Sequence, residues 1–326
     1  MKKTALLLLP LCLSALCACG ESEDPSGKYF ASLGDSMLSA SKNTSFRAYS
    51  DTVKLNAALS YEEEGKKKEG SIRLDPLAFD LRIDNMLEGS VRKTKLSLFG
   101  KNNKLTKIIL GGDFTSGTQT SVEVAPRLYV DTGVIYSDLT DAGAIRLMIN
   151  TYLADYLKSP FPTKGKLVTG LPPELAFDIP DFEKDPFVSK LSECYDIAKT
   201  AFAFSEDEGV STVSFASTDK AQLELILEAL RGQKEDEMVS AFHSARDAFY
   251  LTSFDFAVSY TEIGPTGFDF KAGVSFKEGT FADFEPIGEW ALSGKINFAY
   301  GEYVRAKTVA DPDSYSVIDL SIQIDS

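Results

Sequence analysis

Apolar and polar residues alternate over three successive runs near the C-terminal end of the chain, at residues 254–260, 268–276 and 290–298. A period of two is typical of β-strands that have one apolar face and one solvated face. The segment Gly264–Gly267 separates the first two runs and predicts a hairpin turn. Because the apolar face of these runs is rich in phenylalanine, we expect other parts of the chain, helices above all, to cover it.

The same alternation predicts an antiparallel meander between residues 46 and 136. Its first strand places Val53, Leu55, Ala57, Leu59 and Tyr61 on one face. The charged run at residues 62–68 then has Glu64-Gly65 at its centre, with acids before and lysines after. We interpret this run as a solvated hairpin with cross-strand ion pairs rather than as a binding patch.

Apolar residues at helical spacing predict five helices, at residues 29–40, about 140–157, 186–204, 219–232 and 235–249. A short strand is predicted at residues 210–215, an irregular crossing at 159–186 and a last strand at 318–324. The predicted order is therefore helix, meander, central helices, meander. Together these elements predict an α+β fold, mainly of antiparallel sheet with helices packed on its apolar face.

The N-terminal segment is typical of an export signal, with Lys2 and Lys3 before an apolar stretch that is too short to span a membrane permanently. It ends in Leu16-Cys17-Ala18-Cys19, which resembles the lipobox of bacterial lipoproteins. The resemblance implies cleavage before Cys19 and a diacylglyceryl group with fatty acyl chains on its sulfur. Secretory cleavage nearby, leaving a free cysteine, is the alternative.

The lipobox resemblance also implies a location and a domain plan. We expect residues 1–18 to be a signal peptide, 19–27 a flexible tether and 28–326 a single β-rich domain. Lipid-modified Cys19 would hold the protein at the extracytoplasmic face of the cell membrane. Gly20, rather than aspartate, follows Cys19. In a cell with two membranes this residue would favour the outer membrane.

The acidic balance of the chain limits its partners. The net charge is −14, and loss of the two lysines of residues 1–18 makes the remaining chain more acidic still. Such a chain repels nucleic acid, so we expect no nucleic-acid partner. Of the four cysteines, only Cys194 would remain as a free thiol after processing. We interpret Cys194 as a buried small hydrophobic residue on a helix face.

The layout of meanders and central helices, together with the lipobox, resembles the lipoprotein carriers typified by LolA and LolB and the LppX/LprG lipoproteins. The resemblance covers roughly residues 28–326 and lies in pattern rather than in a signature motif. It implies a curved, half-barrel-like sheet whose concave apolar face is filled by helices and acyl chains. An ordinary α+β domain with a filled core explains the same alternation.

A ligand in such a fold would lie between the sheet and the helices. The candidate sheet wall comprises Phe256, Val258, Phe268, Phe270, Val274, Phe276, Trp290, Leu292, Ile296 and Phe298. The candidate residues on the opposing helices are Ile149, Tyr152, Leu153, Ile226 and Leu230. A buried acyl chain needs such a wall free of unpaired polar groups. The alternative is that these side chains simply meet as core.

Catalytic and metal chemistry have little support. Gly34-Asp35-Ser36 resembles the nucleophile block of GDSL-type esterases, but no strand precedes it and no Asp-x-x-His pair follows. The single histidine, His243, has Ser240 three residues before it. A serine without a positioned base is a weak nucleophile, and one histidine without a thiol pair does not make an ordinary zinc site. We therefore expect no enzyme activity and no cofactor.

Two classes of function remain. The first is non-catalytic binding or carriage of a lipid or other amphiphile in an apolar cavity. The second is a surface lipoprotein with a fully packed core that mediates protein interactions in the cell envelope. The sheet–helix interface discriminates them, since an unfilled apolar volume favours the first and a filled one the second.

Overall fold

The computed structural model describes residues 24–88, 91–100, 104–115, 119–131, 133–152, 154, 157–168, 187–231, 249–279 and 284–319. The predicted signal segment with Cys19, residues 169–186 of the predicted crossing and residues 232–248 with His243 lie outside the described residues. Predictions that fall on them stay predictions. The crossing predicted at 159–186 is not irregular throughout, because Lys164–Val168 form a strand.

The described residues form four α-helices. These are α1 (Ser26–Ser41), α2 (Gly143–Tyr152), α3 (Phe187–Ala198) and α4 (Lys220–Arg231). Helix α4 is capped by Asp219, whose Oδ1 accepts a hydrogen bond from the backbone N–H of Gln222 at 3.0 Å. Within the described residues, none of the helices has the length and apolar character that crossing a membrane requires.

The described strands form one sheet of fifteen strands. They are β1 (Ser45–Glu63), β2 (Lys66–Glu88), β3 (Val91–Gly100), β4 (Thr106–Gly112), β5 (Thr120–Val124), β6 (Arg127–Asp131), β7 (Val134–Asp138), β8 (Lys164–Val168), β9 (Phe202–Asp207), β10 (Val210–Ser217), β11 (Phe249–Tyr260), β12 (Pro265–Phe276), β13 (Phe284–Pro286), β14 (Trp290–Tyr300) and β15 (Ser316–Val317). The main path runs β15-β8-β7-β6-β3-β2-β1-β14-β12-β11-β10-β9.

Long strands β1 and β2 let the sheet branch and curve. Strand β1 pairs with β14 over residues 46–56 and with β13 over residues 59–61. Strand β2 pairs with β3 over its second half and with β4 near its start, and β4 carries β5. The sheet is mainly antiparallel, curved and open, with helices on one face, which confirms the predicted α+β class. We call the helix-bearing face the inner face and the opposite one the outer face.

The charged hairpin at residues 62–68 is as predicted. Glu62 pairs with Lys67 and Glu63 with Lys66 across the ladder, and Lys68 Nζ lies 2.6 Å from Glu63 Oε2. The tip needs positive φ at both central residues, and Glu64 has φ 52° and Gly65 φ 72°. Its side chains are mostly exposed, so this is a solvated turn.

The ends of several predicted helices are wrong. The helix predicted to end at Leu157 is shorter, since α2 covers Gly143–Tyr152. The helix predicted over residues 186–204 ends at Ala198, and Phe202 to Asp207 form strand β9. Phe202 and Phe204 follow a period of two there, and pairing with β10 satisfies the backbone of this segment. Phe249, predicted as the end of a helix, is instead the first residue of β11.

The main core lies between α1, α3, α4 and strands β9–β12, and we call it the helix–sheet core. Its buried residues are Phe30, Leu33, Met37, Leu191, Cys194, Ala198, Phe202, Val213, Phe215, Leu223, Ile226, Phe254, Phe256, Val258, Tyr260 and Ala272. Cys194 is buried as predicted, and its thiol donates a hydrogen bond to the carbonyl of Leu225 at 3.4 Å. This part of the sheet–helix interface is filled.

Helix α1 crosses one end of the inner face, which we call the α1 end. The Tyr260 hydroxyl donates a hydrogen bond to the carbonyl of Tyr29 at 2.8 Å, near the start of α1. Near the end of α1, Ala40 is buried in a second cluster with Phe46, Ala48, Ile83, Leu96 and Tyr300. Burial raises the pKa of Tyr260 and of Tyr300 above the ordinary tyrosine value.

Ser36 of α1 is buried rather than displayed on the protein surface. It is 1% exposed, and its hydroxyl has no hydrogen-bond partner. A buried unpaired hydroxyl costs free energy, and alanine is also the better helix former. We expect Ser36→Ala to raise the free energy of unfolding by about 1 kcal/mol in chemical denaturation.

Ser32 provides the matched control on the same helix. Its hydroxyl lies 2.8 Å from the Tyr260 hydroxyl and donates a hydrogen bond to the Tyr29 carbonyl. Ser32→Ala should therefore lower stability. A stability loss in Ser36→Ala as large as that of Ser32→Ala would mean that Ser36 has a bonding partner.

A C-terminal strap, residues 301–319, crosses the outer face. The backbone N–H of Ala306 donates a hydrogen bond to Asp84 Oδ2, and that of Lys307 donates to Ser97 Oγ, both at 3.0 Å. Strand β15 then pairs in parallel with β8. Residues 318 and 319, which were predicted to open a strand over 318–324, follow β15 without strand structure, and residues beyond 319 lie outside the described part of the chain. The strap connects β1, β2, β3 and the β8 edge.

Candidate apolar trough

Away from the α1 end, the inner face carries apolar side chains that are only half-buried. We call this area the apolar trough. Its residues are Leu55, Ile72, Leu74, Val274, Phe276, Trp290 and Leu292. Leu55 lies opposite both Leu74 and Leu292 in the ladder, so these strands place one continuous apolar surface side by side.

Trp290 closes one side of the trough without leaving a polar atom unpaired. Its indole N–H donates a hydrogen bond to the carbonyl of Ala58 at 2.8 Å. Its ring meets the ring of Phe276 edge to face, with centroids 4.7 Å apart. The unpaired buried side-chain atoms found in the described residues belong to Ser36, Asp84, Thr106 and Arg127, and none of these is a trough residue. The surface thus has the apolar character that an acyl chain requires.

The structure divides the predicted sheet wall into three groups. Phe256 and Val258 are 3% and 6% exposed in the helix–sheet core, so they face neighbouring side chains. Phe268, Phe270 and Val274 pack against the edge of that core, and Ile296 and Phe298 pack against the second cluster. Phe276, Trp290 and Leu292 are half-buried at the far end of the sheet. We therefore restrict the candidate site to the far end, where Val274 at the core edge pairs with Trp290 and joins the trough.

The predicted helix residues are also separated. Ile226 is fully buried in the helix–sheet core beside the sheet wall. Ile149 lies elsewhere, because α2 packs against β5 on the branch that continues from β4. Leu153 and the side chains of Tyr152 and Leu230 lie outside the described residues.

Sequence reasoning missed the contribution of β1 and β2 to the trough. Leu55, Ile72 and Leu74 stand on the same face as Leu292 because β1 lies between β2 and β14. The alternation at residues 53–61 predicted that this strand has an apolar face. It did not show which strands lie beside it, because strand order depends on the tertiary structure.

Gly294 does not line open space. A register shift in β1 between Tyr49 and Lys54 brings Val53 over Gly294, and a Cβ at Gly294 would lie 2.7 Å from Val53 Cα. Substitution must displace backbone here. We expect Gly294→Ala to lower the free energy of unfolding by about 1–3 kcal/mol, measured by chemical denaturation.

Gly267 on the neighbouring strand is the control for this prediction. A Cβ there meets its nearest heavy atom, Lys295 Cε, at an ordinary 3.6 Å. Gly267→Ala should therefore change stability much less. Equal effects of the two variants would contradict the close approach of Val53.

A polar pocket of about 530 Å³ lies at the same irregularity of β1, lined among others by Asp51, Lys54, Asp75, Asp269 and Lys295. Lys295 Nζ pairs with Asp269 Oδ2 at 3.2 Å. Charges of both signs surround the pocket, so it selects no ligand of one sign. Among the described residues, no group of three or more His, Cys, Asp or Glu side chains is arranged to hold a metal ion.

Comparisons with known proteins add little. No protein-family model and no curated protein matches the chain. A crystal structure of a β-barrel-like protein of a domain of unknown function from Brucella abortus is 9% identical, covers 77% of this chain and 98% of its own, and has a TM-score of 0.16. The outer membrane protein OprG from Pseudomonas aeruginosa is 8% identical, covers 81% of this chain and 100% of its own, and has a TM-score of 0.12. Similarity this low carries no argument about function.

Proposed function

We propose that this protein is a lipid-anchored extracytoplasmic lipoprotein that binds an amphiphile in the apolar trough without catalysing a reaction. The observation that carries the proposal is the continuous row of half-buried apolar side chains on β1, β2, β12 and β14. A contiguous apolar surface of this kind is uncommon where no partner covers it. A bound acyl chain would remove the remaining exposed area from water at about 25 cal/mol per Å².

The dimensions of the trough suit an extended acyl chain. The trough runs across β2, β1, β14 and β12, and three inter-strand spacings of about 4.8 Å give it a length of about 14 Å, which is enough to hold part of a fatty acyl chain. Since the trough residues have their polar atoms paired or have none, the chain would meet no uncompensated polar group. The polar head group would lie at the solvated rim.

Native mass spectrometry of the chain from Gly20 onward, made in bacteria and purified without detergent, tests the proposal. We expect a bound mass in the size range of a membrane lipid. Leu292→Lys should remove that mass, because a charged group in the trough opposes burial of an acyl chain. A bare protein mass for the parent chain would contradict amphiphile binding.

Ala291→Lys is the matched control. Ala291 is exposed on the outer face of the same strand, one residue from Leu292. This variant carries the same added charge and should keep the bound mass. Loss of the ligand from both variants would mean that charge or strand stability, rather than the trough, controls binding.

The second candidate is an envelope interaction protein with a filled core. The observation in its favour is the helix–sheet core, where Leu33, Leu191, Val213 and Ile226 are each completely buried. Ala272 belongs to this core, so enlarging it should destabilise the protein under either function. The bare mass described above would support this candidate.

A further inference from the structure

The N-terminal end of the described chain is fixed to α3 by Asp24. The Tyr195 hydroxyl donates a hydrogen bond to Asp24 Oδ1 at 2.9 Å, and Lys199 Nζ donates to Oδ2 at 3.4 Å. Hydrogen bonds from Ser26 and Tyr195 lower the pKa of Asp24 to about 2, so the carboxylate is charged at neutral pH. Helix α1 starts at Ser26, inside the segment predicted as flexible tether. Helix α1 therefore begins earlier than the sequence indicated.

Asp24 lies five residues before Tyr29, which contacts the α1 end of the sheet. Tyr29 stacks on Phe204 of β9 with ring centroids 5.2 Å apart and also bonds Tyr260 at the end of β11. Glu278 follows β12 at the opposite end. Twelve residues of β12 separate the two ends, a distance of about 40 Å along the strand.

Only four residues lie between Cys19 and Asp24. Five residue steps span at most about 17 Å when fully extended. This reach is less than half the length of the sheet. A lipid on Cys19 would therefore hold the α1 end close to the bilayer surface.

We propose that the α1 end of the sheet faces the anchoring bilayer and that the far end, with Phe276 and Trp290 of the trough, points away from it. The inference rests on the lipid anchor of the proposed function.

Charges at the α1 end favour a short separation from the membrane rather than insertion. Glu206, Asp207 and Glu208 lie on β9 and its turn, and Lys28 Nζ lies 3.6 Å from Glu206 Oε2. Acidic groups are repelled by anionic head groups, and this repulsion extends over a Debye length of about 8 Å at physiological ionic strength. The tether is long enough to accommodate that separation.

Energy transfer to head-group acceptors tests the orientation. The acylated full-length product carries Cys194→Ala and one new cysteine, Lys28→Cys or Glu278→Cys, labelled with a donor. It is reconstituted in phosphatidylcholine vesicles that contain acceptor-labelled lipid. Both sites are exposed, and the Cys194→Ala parent measures unspecific labelling. We expect loss of most donor emission at residue 28 and little loss at residue 278.

A variant that lacks the hydrogen bonds of Asp24 provides a second test. Asp24→Ala combined with Tyr195→Phe removes the bonds to α3, so the segment gains length and the difference between the two sites should shrink. Equal energy transfer from residues 28 and 278 in protein that keeps Asp24 and Tyr195, with the acyl mass on Cys19 confirmed by mass spectrometry, would overturn the orientation alone. Absence of that acyl mass would overturn the anchor and the orientation together.

Discussion

Replacing Phe215 by alanine is expected to lower the free energy of unfolding by about 3–5 kcal/mol. Phe215 is 1% exposed, and its ring meets Phe202 edge to face and stacks on Phe256, with centroids 5.1 and 5.7 Å apart. Truncation leaves a cavity where β9, β10 and β11 meet the helices, and close packing around it limits collapse. Chemical denaturation followed by circular dichroism measures the effect.

The half-buried Phe276 is the control for this prediction. It loses the same atoms on replacement by alanine but lies in the trough, where less of its surface is removed from water. Its effect should be clearly smaller in ligand-free protein. If the two variants lost equal stability, the distinction between a filled core and an open trough would fail.

Replacing Tyr315 by alanine should release the C-terminal strap and cost about 3 kcal/mol or more. Tyr315 is 7% exposed, and its ring meets that of Tyr136 edge to face at 5.3 Å, with Lys164 Nζ 5.8 Å from its centroid. Burial raises the pKa of the Tyr315 hydroxyl to about 12. Because β15 follows directly, loss of this anchor should also uncover the edge of β8.

Two measurements report whether the strap remains in place. Chemical denaturation gives the stability, and light scattering at increasing protein concentration detects association through the uncovered β8 edge. Tyr303 lies in the same strap but is 80% exposed, so the control variant Tyr303→Ala should change neither the stability nor the association of the protein. A stable, monomeric Tyr315→Ala variant would show that the strap adds nothing to the closure of this edge.

Local pattern predicted most strands of this protein. Residues 254–260, 268–276 and 290–298 fall within β11, β12 and β14, because alternation needs only the residues of one strand to place an apolar face. The hairpin at Glu64-Gly65 was equally local. Helix α4 begins at Lys220, one residue from its predicted start, and Asp219 caps it.

Features that depend on distant partners were not predictable. Phe202 and Phe204 suited either the end of a helix or a strand, and pairing with β10 decided for the strand. The register shift that places Val53 over Gly294 depends on β1 meeting β14 across more than two hundred residues. The strap depends on Asp84 and Ser97, polar side chains that accept backbone N–H groups from Ala306 and Lys307.

The sequence by itself determined the strand-forming segments, the apolar face that they share, the acidic surface charge and the lipobox-like segment at Cys19. These are properties of neighbouring residues and of composition. The tertiary structure decided which part of the apolar face is filled, because strand order and helix placement bury Phe256 and Ile226 but leave Trp290 and Leu292 half-buried. Burial depends on what packs above a side chain, and those partners come from distant parts of the chain.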